Sequence, residues 1–437
     1  MGSGLPKHIH LSAFLFSCGH HIASWLHPEV DPARAVSFEH FRKTALLAEE
    51  AKFDAIFFAD SLGVPQVPNE QLAKAAAVNL FDPVGLLYAL APLTSRIGLI
   101  ATVSVTYMPP YHVARKFAAL DQISGGRAGW NLVTSATDAE ALNFGLKEQV
   151  PHQERYERAS EYVDVVKGLW NSFDSDPLLF DKAGRRFFDH AKLHALNHEG
   201  RFFSVRGPLP VPRSPQGHPL IVQAGSSADG QALAARTADM VFTAQDNLTG
   251  AKAFADSLHD RMAGYGRTPD RLRLMPGLLP FVGRTRAEAE AKYDQLQSLI
   301  DPAIGLGLLY AMTGIRFSPE QLDLPLHELT LNEGMQSRIK LFSDIGRLGT
   351  LRQLMLKIAG GRGHWTVVGT PTDIADQMEE WVDSGAADGF NIMGPILPEG
   401  LQDFIDLVVP ELRRRGRFRS EYTASTLRGH LELPPAD

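Results

Sequence analysis

One cysteine, Cys18, is all that the 437 residues contain. A disulfide framework and a CxxC metal site are thereby excluded, and the usage suits a reducing cytosol. No apolar run approaches the ~20 residues that a membrane-spanning helix needs. The N-terminal MGSGLPKHIHLSAFLF also lacks a signal-peptide layout, having one Lys and then a strand-like stretch broken by His. Positive charge is not in excess: 43 Lys and Arg against 50 Asp and Glu leave a net charge of −7. A nucleic-acid-binding protein would need a basic face. Neither GxGxxG nor GxxxxGK[ST] occurs, so no glycine-rich dinucleotide or phosphate loop of those kinds is expected. A soluble cytoplasmic protein with no membrane or nucleic-acid partner is the expectation.

What the sequence has is alternation. Short, nearly continuous apolar runs are expected as strands at 9–16, 55–60, 97–105, 126–135, 220–225, 240–244, 272–283 and 389–394. Each is followed by a helical pattern: 38–52, 82–93, 111–123, 152–170, 228–237, 249–265, one beginning at Arg286, and 400–415. Strands of this kind are buried on both faces of a parallel sheet. Eight strand-then-helix units predict an α/β fold, a closed (β/α)8 TIM barrel, rather than an open sheet. The whole of 1–437 is expected to be one such domain, with insertions at about 174–219 and 301–366.

In a parallel barrel, ligand chemistry gathers at the C-terminal strand ends. Those ends carry Cys18, His20 and His21, then Asp60, Ser104, Thr106, Asn131, Thr134, Ser135 and Gly225 to Ser227. Most are uncharged hydrogen-bonding groups, which suit a planar organic ligand. A metal site is not supported, because His20 and His21 point opposite ways on a strand and no carboxylate completes a set. In QAGSSADG, Ser226 and Ser227 stand where a strand hands over to a helix, either as a phosphate site or as a plain N-cap. His152 and Tyr156, four apart at a helix start, share one face with Arg155 nearby. The run RRRGRFR (413–419) reads as a solvated tail or an oligomer contact.

Several stretches together carry a family resemblance: AIFFAD, PPYHVARKFAALDQISGGRAGWNLVTS, HQERYERASEYVDVVKGLW, HEGRFFSVRGPLPVPRSPQGHPLIVQAGSSADG, VVGTPTDIADQM and VVPELRRRGRFRSEYTASTLRGHL. The chain resembles the bacterial luciferase-like flavin monooxygenases, in the branch with nitrilotriacetate, EDTA, dibenzothiophene-sulfone and long-chain alkane monooxygenases. That resemblance implies reduced FMN delivered by a separate NAD(P)H:flavin reductase. It also implies O2 as co-substrate and a C4a-(hydro)peroxyflavin that transfers one oxygen atom to a small organic molecule. By position, Asp60 would face the flavin ring, and Ser104, Thr106 and Asn131 would bond the ring edge or ribityl chain. His152, Tyr156, Ser226 and Ser227 would hold the phosphate. Cys18 and His21 match positions beside the flavin face, with His21 the catalytic candidate. A homo-oligomer, dimer or tetramer, is expected.

Two other readings fit the same barrel: a deazaflavin-dependent oxidoreductase, and a flavin-binding protein without catalysis. The substrate stays open among a sulfone, a thioether, an alkane and an amino-polycarboxylate. Phe14, Phe16, Trp25, Phe58 and Phe242 suggest a partly apolar pocket.

Overall fold

A computed structural model describes residues 7–64, 67–76, 81–329 and 349–436. Parallel strands run in chain order: β1 His10–Phe14, β2 Ala55–Phe58, β3 Gly98–Ser104, β4 Ala128–Val133, β5 Leu220–Gln223, β6 Met240–Thr243, β7 Arg273–Val282, β8 Trp365–Gly369 and β9 Gly389–Ile392. Hydrogen bonding proceeds from β1 through β7 in sequence, then to β9 and back to β1, so eight strands close a barrel. His10 lies opposite Gly389 at the closure, and Met240 opposite Arg273 between β6 and β7. All eight strands expected from the sequence are those of the barrel. The ninth, β8, was not anticipated. It pairs only with the far end of β7, Leu278 opposite Trp365, and stays outside the closed ring.

Side chains alternate across the barrel wall, as the two-residue period of a strand requires. Leu11, Ile56, Leu99, Ala101 and Ile221 face outward into the layer shared with the helices. Phe14, Phe57, Ile100, Val222, Met240 and Phe242 face inward. Phe57, not Phe58, is therefore the interior aromatic of β2. Its ring lies 4.9 Å from that of Phe14, whereas Phe58 packs outward against Phe41.

The helices that matter here are α1 Phe38–Glu50, α2 Pro83–Leu90, α3 Pro110–Ser124, α4 Asp138–Asn143, α5 His152–Trp170, α6 Ala228–Thr237, α7 Leu248–Gly264, α8 Arg286–Ser298, α9 Pro302–Thr313, α10 Leu351–Gly361 and α11 Pro371–Asp383. After β9 a helix runs from Glu399 to Arg414 with a π turn at Phe404–Val408. Pro410 explains the turn, since it has no N–H and its ring would strike the carbonyl one helical turn back.

The 174–219 stretch holds two short antiparallel pairs, Leu178–Asp181 with Arg186–Phe188 and His198–Glu199 with Ser204–Val205. The second insertion contributes α9 and α10, which bury Leu309, Leu354, Met355 and Ile358 in a cluster of their own. The sequence MQSRIKLFSDIGRLGTLRQLMLKIA in this insertion carries a helical pattern; its part up to residue 348 lies outside the described residues, and the rest runs into α10. Among the described residues, no helix is long and apolar enough to cross a membrane.

Most of the arginine-rich tail is packed against the fold rather than solvated. Arg417 pairs with Asp383 at 2.7 Å, Arg415 with Asp376 at 2.6 Å and Glu379 at 2.8 Å, and Arg419 with the buried Asp54 at 2.6 Å. From there the chain crosses the N-terminal ends of the strands. His430 Nε2 meets the Arg96 carbonyl, the Leu427 N–H bonds Gly126, and Arg273 bonds the Leu431 carbonyl. Leu427, Leu431 and Leu433 fill the barrel interior from below. Charge density alone pointed to solvent, but of the run's arginines only Arg414 is exposed, paired with Glu411 of its own helix; the others find carboxylates or carbonyls of the fold.

Candidate active site

At the opposite, C-terminal end of the strands lies a cavity of about 330 Å3. Asp60 and Ser61 beyond β2, Thr134 to Thr137 beyond β4, Gln223 to Gly225 at β5, Tyr156 of α5 and Gly230 of α6 line it.

Its β4 side is organised by Glu140. Thr137 caps α4, and Glu140 at the third helical position returns the bond, completing a capping box. The buried Glu140 carboxylate accepts from the Ser135 hydroxyl at 3.0 Å, the Ala136 N–H at 3.2 Å and the Leu62 N–H at 3.3 Å. One side chain therefore ties the loop after β4 to the loop after β2. Ser135 has a left-handed φ of 51°, and Arg155 donates to its carbonyl.

Ser104 and Thr106 serve the same loop. The Ser104 hydroxyl, 2.9 Å from that of Ser135, donates to it while Ser135 donates to Glu140, and the Thr106 hydroxyl donates to the Thr134 carbonyl at 2.6 Å. Neither lines the cavity. Asn131 alternates with Trp130, which packs outward among Phe117, Tyr162 and Trp170. The Asn131 amide donates to Thr102 at 2.8 Å, while its Oδ1 is buried without a partner among the described residues.

The β5 side forms a cradle. Ser227 caps α6, its hydroxyl accepting the Gly230 N–H at 3.1 Å. The Tyr156 hydroxyl lies 3.5 Å away. His152 packs 4.8 Å from the Tyr156 ring and pairs with Asp229 at 3.1 Å, which fixes α5 beside the start of α6. Gly225 and Gly230 make this approach feasible. A Cβ on Gly230 would come within 3.1 Å of both Gly225 and the Tyr156 hydroxyl. Ser226 is exposed beside them. The start of α6, with its helix dipole, thus faces the Ser227 and Tyr156 hydroxyls.

Asp60 lines the cavity with a carboxyl shifted by its surroundings. Burial, with smaller contributions from Asp82 and Glu140, pushes its carboxyl up to about 6. The expected residues Asp60 and Tyr156 thus meet in one cavity, with Ser226, Ser227 and His152 at its edge.

Cys18 and His21 are elsewhere. Cys18 is buried with Sγ 3.8 Å from the Pro32 carbonyl. His21 is buried under α10, its Nδ1 accepting the Ala23 N–H at 3.2 Å. A Cβ on Gly360 would come within 3.3 Å of its Nε2. Burial lowers the His21 pKa to about 4, so it is neutral at pH 7. The structure does not bring it to the Asp60 cavity. Glu140 was not foreseen; the Thr137-x-x-Glu140 spacing was its only signature.

A closed barrel with a polar cavity at the C-terminal ends of its strands has the architecture of an α/β-barrel enzyme. The model of the luciferase-like monooxygenase family matches residues 13–388, and the chain belongs to that family. It is 47% identical over 432 residues to the N-acetyl-S-(2-succino)cysteine monooxygenase of Bacillus subtilis, covering 98% of this chain and 97% of that one. It is 45% identical over 441 residues to nitrilotriacetate monooxygenase component A of Aminobacter aminovorans, covering 98% and 97%. The EDTA monooxygenase structure from Chelativorans sp. BNC1 superposes with a TM-score of 0.85 at 34% identity, covering 98% and 99%. The chain is a monooxygenase of this family.

Proposed function

We propose that this chain is the oxygenase of a two-component system, using FMNH2 from a separate NAD(P)H:flavin reductase and O2 to oxygenate a small organic substrate. The observation that carries this reading is the cradle of Ser226, Ser227, Tyr156 and His152 opening onto the cavity that Asp60 lines.

The residues present fit the flavin. A single terminal phosphate suits the start of α6. Gln223 Oε1 and Asn131 Oδ1 are buried acceptors without partners among the described residues. A flavin ring and ribityl chain carry the N–H and O–H donors that such acceptors need. Reduced FMN with O2 supplies the oxidant: one oxygen atom enters the substrate, the other leaves as water, and the flavin is returned oxidised.

The chain's own residues bind, orient and shield. Ser227 and Tyr156 hold the phosphate end. Glu140 with Ser104, Thr106 and Arg155 fixes the Thr134 to Thr137 wall. Asp60 holds or releases a proton at its carboxyl near neutral pH. The loops above the strand ends keep water from diverting the oxidant to hydrogen peroxide.

Purified protein with FMN and NADH alone is expected to consume little O2. Adding a flavin reductase should start consumption, with peroxide the main product until a substrate is present. FMN should bind more tightly than FAD. Rapid NADH oxidation by the pure protein, or an equal preference for FAD in a fluorescence titration, overturns the reading.

A further inference from the structure

Above the barrel, α10 ends in the run Gly360-Gly361-Arg362-Gly363. Arg362 takes a left-handed φ of 50°, and its N–H closes the helix on the Ile358 carbonyl. This bend lays the guanidinium back over the barrel mouth, 5.1 Å from the ring centre of Phe16, just beyond β1.

Among the imidazoles near it are those of His20 and His364. His20 packs 4.1 Å from Phe14 and 5.4 Å from Phe16, with Nε2 on the Phe14 carbonyl at 3.1 Å. His364 stacks on the interior Phe242 at 5.2 Å. It is pressed so closely on β7 that a Cβ on Gly277 would come within 2.4 Å of its Nδ1. That Nδ1 is buried without a hydrogen-bond partner among the described residues. Burial and the Arg362 charge hold both histidines below the usual range.

Arg362 differs from the other buried or half-buried arginines. Arg417, Arg419 and Arg428 each meet a carboxylate, and Arg127 is ringed by the carbonyls of Ala91, Thr94, Ile97 and Ser124. Among the described residues, none accepts a hydrogen bond from Arg362 or offsets its charge, and its Nε is buried. A desolvated cation without an acceptor is costly to the fold. Its place is also informative: β1 and β5 are four strands apart in a ring of eight, so Arg362 sits across the barrel mouth from the Ser227 cradle. An anion at this point would offset that cost.

We propose that Arg362, with His20 and His364, forms a subsite for a carboxylate of the substrate, so that the enzyme selects small carboxylate-bearing molecules. This rests on the oxygenase reading given above. The planar guanidinium matches a carboxylate's two oxygens. One cation among neutral imidazoles and phenyl rings balances a single negative charge better than a phosphate dianion.

The test is calorimetric titration of FMN-loaded protein with (methylthio)acetate and with its methyl ester, which share a body but not a charge. The acid should bind at least ~10-fold more tightly than the ester, a difference worth about 1.4 kcal/mol. Arg362→Met should abolish that preference, Arg362→Lys should keep part of it, and FMN affinity should be unchanged in both. Equal binding of acid and ester, binding of neither, or a preference that survives in Arg362→Met overturns the subsite. Loss of FMN binding in Arg362→Met also overturns it, by placing the flavin phosphate there, as does stronger competition by inorganic phosphate than by acetate. If wild-type protein fails to bind FMN, the oxygenase reading itself falls. Intact FMN binding without the acid preference removes the subsite alone.

Discussion

The Ser227 hydroxyl accepts the Gly230 N–H at 3.1 Å and lies 3.5 Å from the hydroxyl of Tyr156. One serine thus caps α6 and faces the anion cradle. Replacing Ser226 and Ser227 together with Ala should weaken FMN binding by about 1–3 kcal/mol, because backbone donors persist. The lost cap should lower stability by about 1 kcal/mol. Fluorescence titration reads the first and thermal melting the second; unchanged affinity in a folded double mutant puts the phosphate elsewhere.

Glu140 gathers the N–H groups of Leu62, Ala136 and Thr137 and the hydroxyls of Ser135 and Thr137. Glu140→Ala leaves these donors without their acceptor and should destabilise the fold by about 1–3 kcal/mol in a denaturant titration. FMN affinity should fall with it, since the cavity wall loosens. Glu140→Gln keeps one acceptor oxygen and should lie between. A Glu140→Ala protein with wild-type stability would show that the loop is held by other means.

Asp60 has a folded pKa of about 6, above the ordinary 3.8. The fold disfavours its charged form, so stability falls as pH rises from the unfolded value through the folded one. Asp60→Asn should remove that slope between about pH 4 and 6 and leave the variant relatively more stable at pH 7. Melting temperatures of both proteins across this range decide it; parallel curves count against a raised carboxyl.

Asp54 behaves oppositely. Arg419 and His10 hold its buried carboxyl down at about 2 despite desolvation. Its contribution is complete above pH 3.8 and is lost as pH falls toward 2. Asp54→Asn should flatten the acid limb of the stability curve. At pH 7 it should cost about 3–5 kcal/mol, because Arg419 is left buried without its counter-charge. An Asp54→Asn, Arg419→Met double mutant should recover part of that loss; strict additivity would show that the two do not couple.

The barrel was legible because its eight strands are apolar on both faces and each precedes a helix of ordinary length. β8 escaped notice because WTVVG pairs with one strand only, at the rim, and is not a repeating unit of its own. The meeting of His152, Tyr156 and Ser227 at the start of α6 could be read in part, since a helix start and a four-residue spacing are local features. Roles of Ser104 and Thr106 were not local: which way a hydroxyl turns depends on the Thr134 to Ser135 loop, which belongs to the neighbouring strand. Likewise AIFFAD has two adjacent phenylalanines, and only the register of β2 decides that Phe57 faces inward. Arg362 is over three hundred residues from Phe16 in sequence, and their meeting is a property of the closed ring.

The tail that plugs the barrel is translated after every one of its strands. On the ribosome, a chain that has all eight strands still lacks the leucines that stopper its lower end and the cation that Asp54 awaits. Folding during synthesis can therefore assemble the wall but not seal it. Sealing comes only once residues 417–433 have left the exit tunnel, so premature termination shortly before them discards the molecule rather than trimming it.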